Sequence, residues 1–170
     1  LSGWKMLPGH LGHWTAQDWK INYDGKSTEK EKSLWTEKSY RNFILIADFR
    51  LTRKPELAKS TVVLASGENA LNPDGTNKEV DILYAGDTGI YLRGNDKSQV
   101  NIGYRYIGSG EIYGYRTDKT LPPEIRAGAT PKLKADRPPG EWNRLIITMR
   151  GEFVSVSLNG ILVIDQARLP

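Results

Sequence analysis

Apolar and polar positions alternate along most of the chain, and no window of a dozen residues holds a clean 3.6-residue apolar period. The clearest stretch is residues 143–165. Gly151-Glu152 can form a two-residue turn with Gly at its first central position, and Asn159-Gly160 is a strong hairpin signal. Those turns set Arg150 opposite Phe153 and Leu158 opposite Ile161. Leu145, Ile147, Met149, Val154, Val156, Leu158, Ile161 and Val163 then share one face of three antiparallel strands. Turn chemistry and hydrophobicity demand the same register, and a one-residue slip would break both.

Further strands follow from the same period. Phe43, Leu45, Ala47, Phe49 and Leu51 alternate with Ile44, Ile46, Asp48 and Arg50, so the first half is apolar on both faces. Residues 62–65 and 79–83 flank Asn72-Pro73-Asp74-Gly75, which predicts a hairpin with a long loop. Ile90 and Leu92 alternate with Tyr91 and Arg93, and Val100 and Ile102 with Gln99, Asn101 and Gly103. Trp19, Ile21 and Tyr23 run into the Asp24-Gly25 turn. Residues 121–140 carry five of the nine prolines, which bars a central strand and predicts a long surface connection. Residues 26–38, rich in Lys and Glu, read as a solvated loop. Many short strands between turns predict an all-β antiparallel sandwich or jelly roll, a single domain over residues 1–170.

Composition narrows the function classes. The net charge is +4 and the basic residues are scattered, which argues against a nucleic-acid partner. The longest apolar run, residues 43–47, is strand-sized, so no membrane span is predicted. The chain starts at Leu1 with no signal-peptide pattern and reads as a processed or excised segment. Without cysteine there is no disulfide, thiolate metal site or cysteine nucleophile. No Gly-x-Ser-x-Gly elbow, phosphate loop or dinucleotide fingerprint occurs.

Three polar groupings could carry chemistry. Glu79 and Asp81 lie on one strand face, roughly 6–7 Å apart, a spacing suited to acid/base work on a glycosidic bond. Laminarinase-type β-glucanases set three acids at alternate strand positions, and the third position here is Leu83. A second grouping is Asp48 with Arg50, Tyr91 with Arg93, and Gln99 with Asn101. If their strands are neighbours, these side chains converge on one concave surface suited to sugar hydroxyls. The third is residues 111–118, where Glu111, Tyr113, Tyr115, Arg116 and Asp118 follow Gly108 and Gly110 and could line a site. His10 and His13 lack a carboxylate at ligand-like spacing, so no metal site is predicted there.

Leu1-Ser2-Gly3-Trp4, Gly12-His13-Trp14, Leu34-Trp35-Thr36, Phe49-Arg50, residues 87–94 (DTGIYLRG), Gly140-Glu141-Trp142-Asn143 and Leu158-Asn159-Gly160 occur in that order. Together they resemble the bacterial 3-keto-disaccharide hydrolase domain family. The resemblance implies a concanavalin A-like lectin/glucanase jelly roll in a periplasmic or secreted protein acting on glycosides oxidised at the sugar C3. Such chemistry removes the acidified C2 hydrogen, expels the glycosidic oxygen and adds water back. On matched positions and shared strand faces, the acid/base candidates are Asp48 and Glu111, and Arg50 or Arg93 would meet the enolate oxygen. Tyr91, Asn101, Tyr113, Arg116, Glu79 and Asp81 are candidates for holding the sugar. No cofactor is expected, and a divalent cation bridging the site stays open. The alternative is a non-catalytic carbohydrate-binding module on the same sandwich. Two departures stand out: Gln99 stands where the family often carries an acid, and the resemblance implies that the chain begins partway through the usual first strand and stops before the usual closing strand.

Overall fold

The computed structural model describes residues 1–30 and 32–170. They form two compact units, residues 1–40 and 41–170. In the first, β1 (Trp4–Lys5) pairs with β4 (Trp35–Thr36), and β2 (Trp14–Gln17) with β3 (Lys20–Tyr23). Trp14 and Tyr23 sit opposite one another and stack, ring centroids 4.7 Å apart. The stretch read as a solvated loop contributes β4 and a buried Ser27, which faces the buried His10 ring at 3.1 Å. Residue 31 of that stretch lies outside the described residues.

The second unit is built on antiparallel strands: β5 (Phe43–Phe49), β6 (Glu56–Thr61), β7 (Glu79–Tyr84), β8 (Asp87–Leu92) and β9 (Asn95–Gly103). Two short helices follow, α1 (Tyr113–Thr117) and α2 (Pro123–Gly128), and then β10 (Asn143–Arg150), β11 (Phe153–Leu158) and β12 (Ile161–Arg168). A four-stranded sheet runs β12-β11-β10-β5, and β6-β7 and β8-β9 form two-stranded ribbons. The chain is thus the all-β sandwich that its periodicity predicts.

The meander has the register its turns require: Leu145 faces Leu158, Ile147 faces Val156, Met149 faces Val154 and Arg150 faces Phe153. Gly151 has φ 56°, and Asn159 and Gly160 have φ 52° and 85°, the left-handed geometry of tight hairpin turns. Seven of the eight side chains assigned to the inner face are buried. Ile161 is the exception: it pairs with Leu158, yet on the edge strand β12 it is 43% exposed. Register shifts in the β11–β12 pairing then bury the adjacent Val163 and Ile164 together, which strict alternation cannot do.

One core cluster joins Val100 and Ile102 of β9, Ile112, Tyr115 of α1, Ile125 of α2 and the inward residues of β10, β11 and β12. Two expectations fail here. Residues 121–140 are no mere surface connection, because Pro123 opens α2 at the one helical position where a missing N–H costs nothing. That helix and the residues after it bury Ile125, Arg126, Ala129 and Thr130. The first strand of the long-looped hairpin also lies earlier than residues 62–65, in β6, with Lys59 opposite Asp81 and Thr61 opposite Glu79.

Ile147 is fully buried while Ile44, on the outer face of the same sheet, is 63% exposed. Ile147→Ala is expected to cost about 3 kcal/mol in urea unfolding, and Ile44→Ala less than about 0.5 kcal/mol. Equal losses would contradict this sheet orientation.

Candidate functional site

A cavity of about 680 Å³ opens in the second unit, within the size range of small-molecule sites. One wall is the inward face of the β6–β7 ribbon, with Ala58, Ser60, Ile82 and Tyr84. Opposite residue types come from α1 and the segment before it: Glu111, Tyr113, Arg116 and Thr117. Arg126 of α2, Arg105, Lys59 and Lys119 add to the polar lining, with Glu68 and Asn69 from the connection between β6 and β7.

Glu111 lies at the heart of this site and is 2% exposed. Backbone pairing sets its position: Asn101 N–H donates to the Glu111 carbonyl, and Gly110 N–H to the Asn101 carbonyl, both at 2.8 Å. Asn101 Nδ2 donates to Glu111 Oε2 at 3.2 Å, and Arg116 Nε donates to Oε1. Arg116 Nη1 also donates to the Gly67 carbonyl at 3.1 Å. The Arg116 carbonyl in turn accepts from Arg126 Nε, whose Nη2 pairs with Glu68 at 2.5 Å. Burying a carboxylate demands a charged partner and further donors, and this chain of contacts supplies them. Gly67 sits here with φ 85°, and a Cβ there would come within 2.9 Å of Thr130 Oγ1.

A second network borders the cavity. Tyr84 donates its phenol O–H to Asp87 at 2.8 Å, and Arg105 Nη2 pairs with the other Asp87 oxygen at 2.6 Å. Burial first, and then Asp87, push the Tyr84 phenol above its usual value, so it remains a neutral O–H donor.

The structure brings Glu111, Tyr113 and Arg116 into one cavity, with Asn101 bonded behind Glu111. It does not bring the other candidates there. Asp48 forms a two-pronged pair with Arg144 on the exposed face of β5, both contacts 2.8 Å, and this holds its carboxyl below the usual range. Arg50 lies over the Trp142 ring at 4.9 Å. Arg93, at φ 55° after β8, donates to the Arg41 and Gly151 carbonyls. Tyr91 faces Gln99 across the β8–β9 ribbon. The expected convergence with Asp48 fails because β5 pairs with β10 and β8 pairs with β9. Glu79 and Asp81 share a face, as the period requires, but it is the exposed one, and Asp81 pairs with Lys59 at 2.7 Å.

Residues 111–118 carry core as well as cavity lining: Ile112 and Tyr115 are buried. Gly110 makes room for protein and not for a ligand, since a Cβ there would meet Val163 Cγ2 at 2.8 Å. Among the described residues, no three His, Asp or Glu side chains are grouped to hold a metal ion. His13 pairs with Asp24 at 2.9 Å. The two acids lining the cavity, Glu68 and Glu111, are each paired with an arginine. Tyr84, Arg105 and Arg126 escaped the sequence reading. Alternation of Val80, Ile82 and Tyr84 opposite Glu79, Asp81 and Leu83 was the available signal for the first.

Residues 1–170 match the family described as the 3-keto-alpha-glucoside-1,2-lyase-like domain. The chain belongs to that family. Among solved structures, a Parabacteroides distasonis protein provisionally named a glycosyl hydrolase is 19% identical with a TM-score of 0.50, over 96% of this chain and 66% of its own. That likeness concerns the fold, and this chain spans about two thirds of that relative's length. A comparison with curated proteins gave no match. No helix among the described residues is long and apolar enough to cross a membrane.

Two predictions follow from these contacts. Arg116→Met leaves the buried Glu111 carboxylate without its cation and is expected to cost about 3–5 kcal/mol in urea unfolding. The double variant Glu111→Leu/Arg116→Met should recover most of that loss; equal instability of both would deny the pairing. Asp118 is held well below its ordinary 3.8 by Lys97, at 2.6 Å, and then by Thr120. A depressed folded value means the stabilisation is present above pH 3.8 and is lost as pH falls through the folded value. Asp118→Asn is therefore expected to flatten the fall in stability between about pH 4 and pH 2, followed by tryptophan fluorescence.

Proposed function

We propose that this cavity cleaves glycosides oxidised at the sugar C3, by elimination followed by hydration. The observation that carries the reading is a buried carboxylate, Glu111, fixed beside Arg116 in the wall of a polar cavity. A ketone at C3 acidifies the C2 hydrogen. Glu111 takes that proton, the electron pair moves into the enolate, and Arg116 stabilises the charge developing on the C3 oxygen. The C1–O bond then breaks, and the departing oxygen takes a proton from Tyr84, whose phenol lines the same cavity. Water then adds across the resulting C1–C2 double bond: its oxygen bonds C1 while its proton returns to Tyr84, and C2 takes back the proton held by Glu111, completing a net hydrolysis with both residues restored. Tyr113, 46% exposed at the cavity, offers its ring to an apolar sugar face. The family's name supports the substrate class.

One observation favours a second reading, a carbohydrate-binding module. Both Glu111 oxygens already accept hydrogen bonds, which also suits a purely structural carboxylate. Proton NMR of the protein with a 3-keto-α-glucoside in heavy water separates the two. Cleavage with deuterium entering at C2 is expected, and Glu111→Gln should slow it by about 10²–10⁴-fold while circular dichroism confirms the fold. Broadened sugar signals without cleavage would establish the module in place of the enzyme.

A further inference from the structure

The charges around the cavity do not balance. Lys59, Arg105, Arg116, Lys119 and Arg126 line it, against Glu68 and Glu111. Four of the five cations have a carboxylate partner: Asp81 for Lys59, Asp87 for Arg105, Glu111 for Arg116 and Glu68 for Arg126. Lys119 has none among the described residues. Its neighbour Asp118 is engaged by Lys97 and by Thr120, so it is no counter-ion in waiting. A second donor also lacks a partner: Arg105 Nε–H is buried and meets no acceptor. Buried donors are nearly always satisfied, so the Arg105 guanidinium, held here through Nη2 by Asp87, has donor capacity to spare.

A neutral sugar's hydroxyls could accept from Arg105, but they need no surplus cation and would leave Lys119 unexplained. We infer that the glycoside taken by this cavity carries an anionic substituent, a carboxylate or phosphate, bound by Lys119 and Arg105. The inference rests on the carbohydrate reading above and adds the substrate's charge class to it. Lys119 supplies a flexible point charge, and Arg105 supplies a planar fork able to turn from Asp87 toward a second acceptor. Both side chains are accessible: Lys119 is exposed, and the Arg105 side chain is 39% exposed.

The test is a binding measurement, so that it does not depend on turnover. Methyl α-glucoside, methyl α-glucuronide and glucose 6-phosphate are titrated into the intact protein by calorimetry at low and high salt. Their unoxidised C3 prevents elimination, so affinity is read without chemistry. At least one anionic sugar is expected to bind roughly tenfold tighter than the glucoside at low salt, with the advantage shrinking as salt is raised. Preference for the glucuronide or for the phosphate identifies which anion is read. Lys119→Met is expected to bring the affinities together and Lys119→Arg to restore most of the difference. Equal affinities in the wild-type protein would overturn this inference and leave the carbohydrate reading standing, as would a preference that survives Lys119→Met. Binding of none of the three would overturn both.

Discussion

A carboxylate cannot stay buried alone, and the second unit is arranged around satisfying one. Glu111 takes a donor from Asn101 of β9 and another from Arg116 of α1, while Arg116 also reaches the Gly67 carbonyl. Arg126 of α2 ties the back of Arg116 to Glu68. One ion pair thereby joins a strand, two short helices and the connection between β6 and β7. Helices of five and six residues have little stability of their own; packing and these contacts hold them. The cavity exists because the same contacts keep the β6–β7 connection beside α1.

How much of this was legible follows from the range over which each signal acts. The β10–β12 meander could be read almost residue by residue, because two-residue turns fix register locally and the buried face repeats it. Ile161 keeps the pairing its turn requires and is exposed because it lies at the start of an edge strand, a tertiary circumstance with no local mark. The two helices escaped because each is too short for a 3.6-residue period to appear. In α2 two of the prolines that looked like breakers are its N-cap, Pro122, and its first residue, Pro123.

The site was legible in part for a different reason. Alternation says which residues share a face, but it does not say which strands become neighbours. Glu79 and Asp81 do share a face, yet the other face of β7 lines the cavity. Asp48 and Tyr91 lie on the expected strands and Arg93 falls in the turn just past one, but those strands pair with different partners. Glu111, Tyr113 and Arg116 could be found together because they lie within six residues, where one short helix brings them to one place. Arg126 and Glu68 meet it from distant segments, and only the folded chain reveals them.

The coupling of Glu111 to Arg116 bears on the proposed chemistry as well as on folding. Before reaction the two charges compensate each other, so the cavity wall presents little net field there. When Glu111 accepts the C2 proton it becomes neutral, and the Arg116 charge is uncovered. At that moment the substrate's C3 oxygen gains its negative charge. The cation is thus offered most strongly to the transition state and least to the resting substrate, which is the condition for accelerating a step instead of only tightening binding. An anionic substrate sharpens the requirement, since a second negative charge would resist enolate formation. Lys119 and Arg105 meet that charge separately, leaving Arg116 for the oxygen where the reaction develops it.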